Sequence, residues 1–281
     1  MDPADDRVAE TQSGKLVNRL STEENHPPVV DNKVRKTIVP AFRGECVGVS
    51  EGYERWAQTY DRTPNPVLAL EERHFKQIVP DLCGKLVLDL ACGTGRWLPL
   101  LAARGASSVV GLDRSAAMLR IAREKAGIHS AIVLADCLRL PFPDSAFDFA
   151  ICSFALNHIE PLDLMARELA RVTKWQGQVV ISEMHPDAYA NGWRPGFRDE
   201  RSAVQIESLS YTAEHVISCF RSHEVECDEL HEFAFEDFER PIFVAAGKEN
   251  IFETVNNIPA IQIYEFRKLA CRNRKLRGQS G

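Results

Sequence analysis

Three aspartates, Asp89, Asp113 and Asp136, each close a short apolar run, in KLVLDL, SVVGLD and AIVLAD, and the glycine-rich turn ACGTGRW follows the first. Gly93 and Gly95 have no Cβ, so a ligand can approach the backbone of that turn closely. Such a turn serves a dinucleotide when it reads G-x-G-x-x-G and seats a pyrophosphate on a helix N-terminus. Here Trp97 and Leu98 stand where a third glycine is expected, and Asp89 sets a carboxylate where a pyrophosphate would lie. The same carboxylate attracts a ligand that carries a cation and no phosphate. Asp113 can accept from both hydroxyls of a ribose, and Asp136, with Cys137 beside it, can accept from an adenine amino group. Taken singly, each acid could cap a helix or start a turn. Together, at three consecutive strand ends, they favour a ligand at the carboxyl edge of a sheet. S-adenosylmethionine, with a sulfonium, an α-ammonium and no phosphate, suits such a set.

The elements that must position these acids follow from the pattern of apolar runs. Strands are predicted over 85–90, 108–113, 131–136, 147–154 and 177–184, with helices at about 95–104, 115–126 and 161–174 between them. This alternation implies parallel neighbours joined by right-handed crossovers. Ser115 is a good helix start and Gly127 a stop. Upstream, EGYERWAQTYD spaces Tyr53, Trp56 and Tyr60 near helical periodicity, an aromatic stripe for packing. After Met184 the alternation breaks into HPDAYANGWRPGFRDERSAVQIES, whose Tyr189, Trp193, Arg194, Phe197, Arg198 and Arg201 suit either a lid over a planar or anionic acceptor or a surface loop pinned by its own aromatics. A helix at about 212–222, a strand at about 224–235, a short helix near 237–247 and a strand at about 259–269 complete the pattern.

The chain has 281 residues, 44% hydrophobic and 26% charged, which suits one large α/β domain with appendages. Lys plus Arg number 34 against 40 Asp plus Glu, a formal net charge of -6, so charge makes no case for nucleic acid or a membrane surface. The eight cysteines contain no C-x-x-C pair, which points to reduced thiols, no metal site and a cytoplasmic setting. The polar, acidic N-terminal stretch has no apolar core of a signal peptide, and no apolar run reaches membrane-spanning length. Residues 1–48 read as a loosely packed arm, with a short helix around Lys15 to Leu20, and residues 271–281 as a basic flexible tail.

LDLACGTGRWLPLLAARGA, VVGLDRSAAMLRIAREKA, ADCLRLPFPDSAFDFAICSFALNHI and LARVTKWQGQVVISE together resemble the class I S-adenosylmethionine-dependent methyltransferases, in the branch with the ubiquinone/menaquinone and biotin-pathway enzymes. YERWAQTYD is similar to that branch's N-terminal helix. The resemblance implies a Rossmann-like seven-stranded, mostly parallel sheet in the order 3-2-1-4-5-7-6, its last strand antiparallel. It fills residues 49–270, with a lid or substrate insertion at about 185–211. It also implies S-adenosylmethionine as cofactor. Asp89, Ala91, Gly93 and Gly95 would cradle the methionine part. Asp113, with Arg114 and Met118 nearby, would hold the ribose, and Asp136 with Cys137 the adenine, between Leu112 and Leu138. Ser153 and Phe154 would flank the methionine, and Tyr60 would close over it. Ala91 departs from the family, where many relatives have Gly.

Transfer of a sulfonium methyl needs alignment and, for some acceptors, a general base. His185, directly after the fifth strand, and His158, after the fourth, are the candidate catalytic residues. His215, Glu183, Asp187 and Tyr211 are further polar groups, none selected by spacing. The expected partner is a small-molecule methyl acceptor, without nucleic acid or membrane, for a monomer or homodimer. Two alternatives stay open: a nicotinamide-dependent oxidoreductase, and a non-catalytic S-adenosylmethionine-binding module.

Overall fold

The computed structural model describes residues 44–127, 130–200 and 202–269. The predicted arm up to residue 43, including the Lys15 to Leu20 helix, lies outside the described residues, as do Arg201 and the 271–281 tail. In chain order the elements are β1 (Glu45–Val47), α1 (Val49–Trp56), α2 (Pro66–Ile78), β2 (Leu86–Leu90), α3 (Leu98–Ala103), β3 (Ser108–Asp113), α4 (Ala116–Lys125) and β4 (Ser130–Leu134). There follow β5 (Phe147–Ser153), a single 3-10 turn (Leu156–His158), α5 (Leu162–Val172), β6 (Thr173–Met184), α6 (Pro186–Ala190), β7 (Gly196–Arg198) and β8 (Ala203–Ile206). The last elements are α7 (Ala213–Arg221), β9 (Val225–Ala234), α8 (Arg240–Ala245), α9 (Glu249–Val255) and β10 (Pro259–Lys268).

Seven strands form one sheet in the order β4-β3-β2-β5-β6-β10-β9, with β10 antiparallel to both neighbours and the other pairings parallel. The period of two along each strand feeds two cores. Leu88, Leu90, Ala150, Cys152, Val179 and Ile181 pack on one face, against α5 and α7. Val87, Phe149, Ile151 and Val180 pack on the other, against α2, α3 and α4. Burial on both faces explains why these strands read as continuous apolar runs.

Several helix starts carry side-chain caps. Asn65 accepts from the Val67 N–H ahead of Pro66, Ser115 from the Met118 N–H, and Thr212 from the His215 N–H. Several boundaries differ from expectation. β4 ends at Leu134, so Asp136 sits in the following loop. The helix expected near 237–247 is the shorter α8, after which Gly247 turns the chain at φ +66° into α9, a helix that was not expected. Within the stretch expected as an arm, β1 pairs in parallel with β8.

The excursion after Met184 is not a free loop. It folds as α6, β7 and β8, and β1-β8-β7 make a separate three-stranded sheet. Trp56, Val47, Val204 and Ile206 form that sheet's core, with Phe197 stacked on Trp56 at 5.2 Å. Gly52 lets α1 lie against it, because a Cβ there would meet the Ile206 side chain at 2.6 Å. Among the described residues, no helix is long and apolar enough to cross a membrane.

Candidate active site

A cavity of about 390 Å³ opens at the carboxyl ends of β2, β3, β4 and β5, with Tyr53 and Tyr60 of the N-terminal segment also lining it. Asp89, Ala91, Gly93, Asp113, Arg114 and Met118 line it, as do Asp136, Cys137, Leu138, Ser153 and Phe154. The fold therefore gathers the three acids and nearly every predicted cofactor residue at one sheet edge. Gly95 is the exception. A Cβ on it would meet Leu98 Cδ1 at 2.8 Å and Ala122 Cβ at 3.0 Å, so it lets the turn pack on α4 and does not line the cavity.

The acids are in different states. Asp113 is built into the turn: its carboxylate accepts from the Gly93 N–H at 2.9 Å and from the Ser115 N–H at 2.8 Å. Each oxygen keeps a lone pair for a ligand hydroxyl. Asp136, exposed at the far end, accepts from the Leu138 N–H at 2.9 Å. Asp89 is 1% exposed, and neither of its oxygens has a hydrogen-bond partner. Burial pushes its carboxyl up to about 8, Arg96 opposing and Asp113 and Glu71 adding. A buried carboxyl without donors is costly, and natural folds retain one where a ligand supplies the missing charge.

The backbone is strained at the same place. Ala91 has φ 55° and Phe154 φ 50°, the left-handed region that glycine prefers. This is the physical reason a glycine suits position 91, and both residues border the cavity.

Beneath the cavity lies a network that motif reading did not find. Glu71, fully buried on α2, pairs with Arg96 and accepts from Ser182 Oγ and, at 2.6 Å, from Ser153 Oγ; Arg96 also donates to Ser153 Oγ at 3.1 Å. The available signal was an acid on an apolar helical stripe, since Glu71 lies four residues from both Val67 and Phe75. Thr94 Oγ1 donates to Asp61 at 2.8 Å, and Lys125 bonds both, tying the turn to the segment after α1.

A second cavity, of about 350 Å³, adjoins the first and shares Tyr53, Tyr60, Phe154 and His158 with it. His158 accordingly faces both. Its Nδ1 lies 2.9 Å from the Glu207 carbonyl, which can only accept, so Nδ1 carries the proton and Nε2 accepts from the Tyr53 O–H at 2.9 Å. Burial pulls the imidazole down to about 4, keeping it neutral, and raises the Tyr53 phenol. The helical spacing of Tyr53 predicts packing alone, and the hydrogen bond to His158 gives it a polar partner as well.

His185 lies elsewhere and lines neither cavity. Its Nδ1 accepts from the Asp187 N–H at 3.0 Å as the N-cap of α6, which leaves Nε2–H to donate to Glu232 at 3.0 Å. Its backbone N–H bonds the Ala260 carbonyl on β10, which holds the residue along the sheet and away from the cavity mouth. His215 contacts Cys219 on α7, and Tyr211 donates to the Ile159 carbonyl. Glu183 is fully buried, bonded by Gln262 and Tyr264. None of His215, Tyr211, Glu183 and Asp187 lines either of the two cavities.

A family profile described as "Methyltransferase domain" matches residues 87–177. Over 144 residues the chain is 40% identical to the demethylmenaquinone methyltransferase of Thermobifida fusca, covering 48% of this chain and 60% of that protein. Over 161 residues it is 30% identical to the protein of the same name from Listeria welshimeri, covering 53% and 67%. The matched part thus spans 60% of the length of the first relative. Among solved structures, the S-adenosylmethionine dependent methyltransferase from Mesorhizobium loti aligns with a TM-score of 0.58 at 23% identity, over 72% of this chain and 100% of that one, a likeness of fold.

Proposed function

This chain belongs to the class I S-adenosylmethionine-dependent methyltransferases, and from that premise we propose that it transfers a methyl group from S-adenosylmethionine to an oxygen, nitrogen or carbon atom of a small-molecule acceptor. The observation that carries the reading is Asp89, a buried carboxyl with two unpartnered oxygens at a cavity that Asp113 and Asp136 also line. That chemistry suits a cationic ligand without phosphate and opposes a nicotinamide dinucleotide.

In this reading Asp89, Ala91 and Gly93 face the methionine part, Asp113 takes the ribose hydroxyls beside Arg114 and Met118, and Asp136 with Cys137 takes the adenine between Leu112 and Leu138. Ser153 and Phe154 flank the methionine, with Tyr60 above. When bound there, the cofactor supplies a methyl group on a good leaving group, ready for S_N2 displacement. The protein's part is alignment, and Tyr53 and Tyr60 line both cavities where they adjoin.

For an acceptor that must lose a proton, Tyr53 and His158 provide the route. An acceptor hydroxyl donates to the Tyr53 oxygen while Tyr53 passes its own proton to His158 Nε2. The resulting imidazolium is held by the Glu207 carbonyl through Nδ1–H. His185, which caps α6, has no part in this route. The relatives from Thermobifida fusca and Listeria welshimeri are named as methyltransferases of demethylmenaquinone. The aromatic second cavity supports an apolar, ring-bearing acceptor here as well, and the net charge of -6 argues against nucleic acid. A cytoplasmic location belongs to the same proposal, supported by seven described cysteines that are all free.

Calorimetric titration with S-adenosylmethionine and NADH tests the ligand: tight binding of NADH and none of S-adenosylmethionine sinks the proposal. Accumulation of S-adenosylhomocysteine with an acceptor separates an enzyme from a mere binding module. With that acceptor, Tyr53→Phe or His158→Asn should lower kcat by roughly 10²–10⁴-fold with cofactor affinity retained; unaltered turnover removes the pair from proton transfer.

A further inference from the structure

The second cavity carries more information about the acceptor than its shape. Its walls are apolar and largely aromatic: Trp56, Trp193, Phe235 and Phe243 line it, with Val67 and Met184. Two cations line it, Arg194 and Lys248, and no Asp or Glu does. In a chain with 40 acids against 34 Lys and Arg, a pocket with cations and no acid is a local reversal of charge.

Arg194 is the more constrained of the two. It is half-buried and stacks over the Tyr189 ring at 4.8 Å, and Nη1 donates to the carbonyls of Tyr189 at 2.8 Å and Trp193 at 2.5 Å. These bonds fix the guanidinium through one nitrogen. No ion pair with a described carboxylate is formed, although Arg55, Arg73, Arg96, Arg171 and Arg240 each have one. A guanidinium partly withdrawn from water, with no countercharge, matches the planar, bidentate geometry of a ligand carboxylate. Lys248, exposed at the same cavity, adds positive potential without fixed geometry.

We propose that the second cavity takes the methyl acceptor as an apolar, ring-bearing carboxylate whose anionic group is read by Arg194. The reactive end then points to Tyr53, Tyr60, Phe154 and His158, the residues common to both cavities. This rests on the methyltransferase reading for the word acceptor, but the binding preference can be measured without any transfer. The competing account is that Arg194 only staples α6 to the strand that follows.

The test uses two probes of equal shape, biphenyl-4-carboxylate and biphenyl-4-carboxamide, titrated into the full chain while tryptophan emission is followed, since Trp56 and Trp193 line the cavity. The carboxylate should bind roughly tenfold or more tightly than the amide, the scale of a charge-assisted hydrogen bond. Arg194→Gln should erase that preference while the amide's affinity changes little, and Arg194→Lys should retain part of it. Equal affinities of the two probes for the unaltered protein overturn the inference, and they do so even if Arg194→Gln fails to fold. A preference that survives in Arg194→Gln overturns it too, returning Arg194 to the staple. Binding of S-adenosylhomocysteine is measured alongside. If it is absent, the methyltransferase reading fails; if it is present and the carboxylate preference is missing, only the acceptor inference fails.

Discussion

Cofactor affinity should rise steeply with pH between 6 and 8, and Asp89 should be the cause. In the ligand-free protein its carboxyl is 1% exposed, accepts no hydrogen bond and is pushed up to about 8 by burial, from an ordinary 3.8. At neutral pH the group is therefore largely protonated. A bound α-ammonium and sulfonium favour the carboxylate, so binding lowers the pKa and releases a proton. Below pH 8 each unit of acidification weakens binding by up to tenfold; between pH 8 and pH 6 the share due to Asp89 alone approaches about 50-fold, or about 2.3 kcal/mol. Above about pH 8 the trend turns over, because the ligand's own α-ammonium titrates there. Calorimetry at pH 7 in two buffers of different ionisation enthalpy should count close to one proton released. Asp89→Asn keeps the shape and removes the titration, so its affinity should lose the slope and fall below the unaltered protein's at pH 8. Stability runs the opposite way. The folded state holds this proton more tightly than the unfolded chain, so the ligand-free protein loses stability as pH rises from about 4 to about 8. A flat affinity from pH 6 to 8, or a slope retained in Asp89→Asn, would refute the reasoning.

Glu183, raised by burial to about 7 from 4.5, has the same sign: its contribution to stability declines as pH rises through that window. Glu183→Gln should therefore gain on the unaltered protein by about 2.5 kcal/mol between pH 5 and pH 8 in denaturant melts; a difference independent of pH would contradict this. His185→Ala removes the cap of α6 and the bond to Glu232, so we expect about 1 kcal/mol less stability with turnover unchanged. A large fall in kcat would restore His185 to the chemistry. Ala91→Gly relieves a left-handed backbone at φ 55° against the greater freedom of an unfolded glycine. A net gain of about 0.5 kcal/mol, read as a higher Tm, is the expected outcome, and a lower Tm would mean that Ala91 is not strained.

The sequence by itself determined the sheet and the three acids, because a strand buried on both faces must read as an apolar run and the aspartates interrupt those runs at their ends. The glycine turn was legible for the same local reason, although Gly95 turned out to serve packing on Ala122. Boundaries set by pairing or by a single backbone angle were less legible, such as the early end of β4 and the break at Gly247. What lies between elements distant in sequence was not legible at all. Tyr53 and His158 are 105 residues apart, Glu71 and Ser182 are 111 apart, and no spacing rule joins them. His185 shows the limit most plainly: its position after the fifth strand suited catalysis, and only the register of β6 on β10 turned it toward Glu232. Local periodicity reports which face a residue occupies. Which partner waits on that face is decided by the packing of strands and helices brought together from across the chain.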